Sequence, residues 1–429
     1  SGKGMPTRLS FRLSGLDRVA RYYGIRCLAL ELEPVTRYIL PRAEVMKEVY
    51  LPSIMDEVVQ GKAFYVSVPK MKTNLYTGVT LGFKNAMGIL PYNLRMRNHN
   101  HMLEKKLADL LYLIEADLSI IDGIIGGEGN TPAPVDPVLS NVIICGNNTV
   151  ETDRCATRLM GINPTDIKLI NEADARGFND EDVKIIGDQK VIPFRRANPS
   201  LIDAEFKRDF HNVTTLIGFS GHGLPEISDP AQVTPELVQQ MERICAGGCF
   251  AAAKTAFEVM KYSRGLDRNF AFTMILGWGT RINGDVWYFD RQGKAYNLET
   301  IQNLPGKKLT LGECTSKLKP YCDVKGEGCS SHTSTMISIF KAAEREIPFL
   351  SVKNKHLLSV LWETLRIYFV RLGLMLRGAW VDCPYDTRDI IYPIPDLSEN
   401  QLRENWLALP LPSLKGKTLW REIRSMKIL

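Results

Sequence analysis

The chain has no Cys-x2-Cys pair and no Cys-x2-Cys-x2-Cys run among its 429 residues. The first absence removes the zinc knuckle, the second the bacterial ferredoxin ligand pattern. A Cys-x3-Cys-x2-Cys radical-SAM loop is also excluded, because its third cysteine position is Ala252. The nine cysteines are odd in number and spread through a long chain, which is not a disulfide framework. Reduced thiols in a cytoplasmic compartment fit better. The opening Ser-Gly-Lys-Gly-Met lacks the apolar run of a signal peptide and reads as a shortened start. A net charge of +6, with both signs interspersed, is too mild for a nucleic-acid partner. Low-complexity tracts and internal repeats are absent as well.

What is present is an ordinary globular composition, 45% hydrophobic and 24% charged. Its length calls for two or three domains. Apolar runs at 25–40, 61–69, 118–125 and 141–146 read as strands. Leucines at helical spacing over 102–118, and the segment Asp153 to Met160, read as helices. A polar stretch from Gly187 to Asp209 marks a boundary. Strands then recur at Val213, Phe270 and Lys307, helices over Val233–Lys261 and Ser334–Glu346, and a hairpin near Trp287. The expected fold is α/β: two Rossmann-like lobes with mostly parallel sheets plus a C-terminal helical extension. The divisions fall at 1–200, 201–350 and 351–429. In the extension, His356 to Trp380 is strongly apolar. Glu363, Arg366, Arg371 and Arg377 make it too charged for a confident membrane span.

Four cysteines carry the chemistry. Cys245 and Cys249 lie in Cys-Ala-Gly-Gly-Cys, Cys314 follows a strand, and Cys329 precedes a helix. Thiolates gathered at strand–helix junctions suit a soft metal centre, with an iron–sulfur cluster leading. A helix N-terminus favours thiolate over thiol. Cys322 is a substitute ligand. The competing readings are buried structural cysteines, which are common, and zinc.

A second set of polar residues lies in the first half. Lys72, Lys84 and Asn85 are placed to bind an anionic group of a substrate. Asp122 and Glu128 flank a glycine-rich loop that is not a Gly-x-Gly-x-x-Gly fingerprint, and His99 sits in a basic segment. These three are candidates for proton handling; solvated loop residues are the alternative. Gly218-Phe-Ser-Gly-His-Gly fails as a hydrolase elbow at His222, which remains a candidate pocket residue.

Several segments resemble one family. They are Pro69-Lys-Met-Lys-Thr-Asn, Val79-Thr-Leu-Gly-Phe-Lys-Asn-Ala-Met-Gly, Asp122-Gly with Glu128-Gly, and Asp153 with Arg158-Leu-Met-Gly161. Together they are similar to the iron–sulfur-associated domain-of-unknown-function family numbered three-six-two. The likeness covers about residues 10–175 well and reaches loosely to about 350. It implies a [4Fe–4S] cluster, here on the scattered cysteines because the ferredoxin-type module of many members is absent. The expected activity is one-electron reduction of an anionic organic substrate between the lobes. An activated C=C bond is the favoured target, and a ferredoxin-like protein the electron donor. The alternatives are a non-catalytic electron carrier or partner subunit, and a zinc or metal-free ligand-binding protein. Segment 356–380 is then a peripheral membrane or homodimer contact, the alternative being a helix that simply packs on the core.

Overall fold

The computed structural model describes residues 6–91, 95, 99, 102–129, 131, 135–197, 209–221, 223–244, 248–262, 267, 269–326, 332–347, 355–381 and 394–426. Two short helices, α1 (Thr7–Ser14) and α2 (Leu16–Tyr22), open the chain. The apolar run around Cys27-Leu-Ala-Leu, expected as a strand, instead makes a single helical turn at Leu30–Leu32. The buried Glu31 explains this. Its carboxylate accepts the Thr7 amide at 2.7 Å and the Thr7 hydroxyl at 2.8 Å, tying the segment to α1. Strands β1 (Val35–Ile39) and β2 (Glu48–Pro52) then pair antiparallel.

The first lobe is a five-stranded sheet. It contains β3 (Val66–Ser67), β4 (Lys70–Asn74), β5 (Gly78–Thr80), β6 (Leu118–Glu128) and β7 (Asp136–Gly146). β3 and β4 run parallel to β6, whereas β5 and β7 close the sheet antiparallel. Among the helices that accompany it are α3 (Gly82–Asn85), α4 (Leu103–Leu111), α5 (Thr149–Leu159) and α6 (Lys168–Ala175). α5 packs on β6 and β7, and α4 on α6. Met71, Ile121, Leu107, Val150 and Ile170 belong to their common core.

The second lobe begins with β8 (Val213–Ile217). The apolar stretch after it forms two helices, α7 (Pro235–Ile244) and α8 (Cys249–Tyr262). Next come β9 (Phe272–Leu276), β10 (Thr280–Ile282), β11 (Asp285–Phe289) and β12 (Ala295–Tyr296). The β10–β11 hairpin turns through Asn283 and Gly284, both at positive φ, as its two-residue connection requires. β13 (Lys307–Leu311), β14 (Val324–Lys325) and α9 (His332–Ala342) complete the lobe. The main strand order is β10-β11-β8-β9-β13-β14, and β8, β9, β13 and β14 are parallel. Alternate residues of β8 and β9 feed two separate cores. Ile217, Met274 and Leu276 pack with α8, whereas Leu216 and Ile275 pack with Tyr288, Ile301 and Leu318.

The C-terminal region is mainly helical, with α10 (Leu357–Leu376) and α11 (Lys417–Ser425). It also returns a strand, β15 (Leu407–Leu409), antiparallel to β1. The extension is therefore woven into the N-terminal segment. Val35 and Tyr50 share a core with Met375, Trp380, Val381 and Met426.

Candidate metal centre and polar cluster

Ile217, Leu276 and Leu311 stand at one register across β8, β9 and β13, and Thr310 pairs with Lys325 of β14. Each of these four parallel strands is followed by glycine: Gly218, Gly277, Gly312 and Gly326. The carboxyl edge of a parallel sheet is where such folds place ligands. Here the chain turns tightly along that edge. Gly277 has φ +89°, and a Cβ on it would lie 2.0 Å from the Gly218 carbonyl oxygen.

Gly312 serves a different end. It has φ +96°, and a Cβ there would lie 3.1 Å from Cys314 Sγ and 3.2 Å from Cys249 Sγ. Two sulfur atoms separated by 65 positions in sequence thus flank one small space. Cys249 is buried at the first turn of the 14-residue α8, where the helix dipole favours thiolate. Cys314 is held by a turn in which the Thr315 hydroxyl donates to the Gly312 carbonyl at 2.7 Å. Tyr288, buried beneath this edge, has its hydroxyl pushed above the ordinary phenol range by burial and then by Cys314 and Cys322. Two thiolates at a glycine-vacated space suit a thiophilic metal. Cys245 and Cys329, the other two proposed ligands, lie outside the described residues, as does His222. Among the described residues no group of three or more His, Cys, Asp or Glu side chains forms a metal-binding set.

Cys322 stands apart. It packs with Leu216, Ile275 and Tyr288, whereas Cys249 packs in the core on the opposite face of the sheet. Burial first, then neighbouring Asp323, pushes its thiol up to about 11, with Lys308 and Lys325 opposing. A separate cleft of about 370 Å³, lined by His211, Thr214, Asp290 and Arg291 among others, opens near the amino end of β8, away from the thiols.

The polar residues singled out in the first lobe fall into separate groups. Lys84 donates to Asn74 Oδ1 at 2.5 Å and to Thr77 Oγ1 at 3.1 Å, locking the β4–β5 turn. Its ammonium lies 5.9 Å from the centre of the Tyr76 ring, and the buried His99 meets the same ring edge-on at 6.4 Å. Asn85 donates to Ser67 Oγ at 3.0 Å. Asp122 is ion-paired with Lys70 at 2.5 Å on a half-exposed face, and that lysine holds its carboxyl below the usual range. Glu128 accepts the Arg195 amide at 2.8 Å and lies 3.7 Å from the Arg195 guanidinium. Asp122 and Glu128 are both on β6, whose register is broken between them, and each is taken up by a different cation, Lys70 and Arg195. Lys72 is half-buried, and burial, then Lys70, pulls its ammonium below the ordinary lysine range.

A buried cluster around Gly82 was assigned no role from sequence. Asp153 of α5 accepts the Gly82 and Phe83 amides at 2.7 and 3.0 Å. Burial raises its carboxyl to about 7, against the opposing pull of those amides. Ser119 and Thr149 hydroxyls meet at 2.9 Å beside it. A Cβ on Gly82 would come within 3.0 Å of Asp153 Oδ1, Ser119 Oγ and Thr149 Oγ1. The sequence signal was the joint appearance of Gly82-Phe-Lys-Asn and Asp153 among the family-like segments.

Fold and site define an α/β protein with a polar, internally bonded first lobe and a second lobe bearing thiols at its sheet edge. Residues 1–158 match the family described as Domain of unknown function (DUF362). The match ends before the second lobe, so the looser likeness read to about residue 350 lies beyond it. A curated protein, Thylakoid-associated protein sll1697 of Synechocystis sp. (strain ATCC 27184 / PCC 6803 / Kazusa), is 26% identical over 120 residues. That alignment spans 27% of this chain and 37% of that protein's length. No solved structure matches significantly.

Proposed function

We propose that the chain is an iron–sulfur redox protein, with a [4Fe–4S] cluster at the carboxyl edge of the second-lobe sheet. What supports this is the meeting of Cys249 and Cys314 across Gly312, at the strand ends where parallel sheets bind ligands. Cys245, four positions before Cys249, and Cys329, three before α9, would complete the ligand set. When bound, the cluster supplies single electrons at low potential. The protein's part is to hold four thiolates and to favour their charge, Cys249 through the α8 N-terminus. Reduction of an activated C=C bond needs two electrons and two protons. The electrons would come one at a time from a ferredoxin-like donor, and the two protons from solvent. Lys72, half-buried on β4, would anchor an anionic substrate group.

The test is anaerobic preparation of the full chain, with iron and sulfide counts, absorption and EPR spectra. We expect about four of each per chain. Cys249→Ser and Cys314→Ser should each lower the iron content at least severalfold. Gly312→Ala should do the same while the chain stays folded by circular dichroism. An iron-free chain after reconstitution overturns the proposal, and stoichiometric zinc identifies a structural site instead.

A further inference from the structure

α10 is built inside out. Its buried residues are Val360, Glu363, Ile367, Arg371 and Met375, two of them charged. Its exposed residues are Leu358, Leu361, Trp362, Leu365, Phe369 and Leu376, every one apolar. At helical spacing these six fall within one stripe about 100° wide and roughly 27 Å long. The exposure is substantial: Leu358 80%, Trp362 68% and Phe369 64%. Both inward charges make contacts within the protein. Glu363 pairs with Arg12 at 3.3 Å, and Arg371 donates to the Glu31 carbonyl at 3.4 Å with its guanidinium 5.0 Å from the Trp380 ring centre. Water alone gives no account of an outward face with no polar residue.

The surroundings of the stripe indicate what covers it. The Arg12–Glu363 contact brings α1 alongside α10, and α1, α2 and the residue after α2 expose Leu13, Leu16, Val19, Tyr22 and Tyr23. Residues 6–26 hold five arginines against one acidic residue, Asp17. Toward the other end, Met426 shares a core with Met375, which brings the end of α11 to α10. α11 exposes Trp420 beside Lys417, Arg421 and Arg424. α1 and α11 reach α10 through its inward residues Glu363 and Met375, and an apolar stripe on a helix whose neighbours expose tryptophan, tyrosine and clustered basic groups matches a bilayer interface with anionic headgroups. A two-fold contact with a second copy would instead press these like charges together. Among the described residues no helix is long and apolar enough to cross a membrane, so α10 would lie on the surface.

We infer that α10, with α1–α2 and α11 beside it, seats the chain on an anionic lipid surface. The test uses the full chain and vesicles of phosphatidylcholine, alone or with phosphatidylglycerol at about a third of the lipid. The chain should float with the mixed vesicles, and about 0.5 M salt or omission of the anionic lipid should weaken binding roughly tenfold. Leu365→Glu with Phe369→Glu should lower binding at least tenfold or so, with unchanged circular dichroism. Bromine-labelled acyl chains should quench the parent's tryptophan emission, and quench that of a chain carrying both Trp362→Phe and Trp420→Phe far less. This measurement decides the matter if the glutamate double variant misfolds. Failure to bind either vesicle, or undiminished binding by a folded double variant, overturns the inference. A dimer dissolved by the double variant, without vesicle binding, overturns it in favour of a second copy.

Discussion

The two lobes use glycine for opposite purposes. In the first, Gly82 brings α3 against Asp153, Ser119 and Thr149, and the space a side chain would occupy is already filled by protein oxygen atoms. In the second, Gly312 leaves space between two sulfur atoms. Polar groups in the first lobe mostly satisfy one another, as Lys84 does with Asn74 and Asp153 with two amides. Density of polar motif residues in a sequence is therefore a poor guide to chemistry when those residues hold each other. Two thiols of the second lobe, Cys249 and Cys314, occur in a sparser pattern, yet they meet at the carboxyl edge of the parallel strands.

The largest effect expected comes from Gly277→Ala. A Cβ there meets the Gly218 carbonyl oxygen, a backbone atom, at 2.0 Å, and the residue needs φ +89°. We expect a loss of more than about 3 kcal/mol, from overpacking and left-handed backbone strain together, measured by urea unfolding. A near-neutral result would mean that the row of glycine turns is not close-packed, and would remove the rigid frame on which the two thiols meet.

Asp153→Ala should follow, at about 3 kcal/mol, because it strands two buried N–H donors. Asp153 also makes a pH prediction. Its carboxyl stands at about 7 in the fold against an ordinary 3.8, so the folded chain holds a proton that the unfolded chain releases. That contribution is full below about pH 4 and is lost as pH rises through about 7. Asp153→Asn should flatten this slope. Parallel stability profiles for the parent and Asp153→Asn across that range would show that the two amides dominate burial.

Much of this architecture was legible in the chain. The runs at Val213, Phe270 and Lys307 became β8, β9 and β13 because buried parallel strands are continuously apolar. The pairing of Leu407–Leu409 with β1 was not legible, since three residues carry no local signal for a partner more than 360 positions away. The hidden Glu31 defeated the strand reading near Cys27, because its partner Thr7 lies in another element. α10 shows a subtler limit. Glu363 and Arg371 are eight apart, hence on one helical face, but with apolar residues on both sides the sequence alone does not say which face turns inward. At the candidate metal centre, the strand preceding Cys314 was readable. The approach of Cys249 to Cys314 depends on Gly312 and on packing across the sheet.

The smallest expected effect sharpens the contrast within the first lobe. Asp122 and Lys70 form a close pair, yet both side chains are about two-fifths exposed, so water screens them. Asp122→Asn should change stability by no more than about 0.5 kcal/mol, by the usual worth of exposed pairs. This makes the substitution a clean probe of chemistry. If Asp122 hands protons to a substrate, turnover falls while the urea midpoint stays fixed. If its role is only to neutralise Lys70, the variant should retain activity and leave Lys72 with a less favourable electrostatic neighbour. Anionic ligands should then bind slightly tighter, because a net positive charge is gained beside Lys72, and the gain should shrink as salt is added.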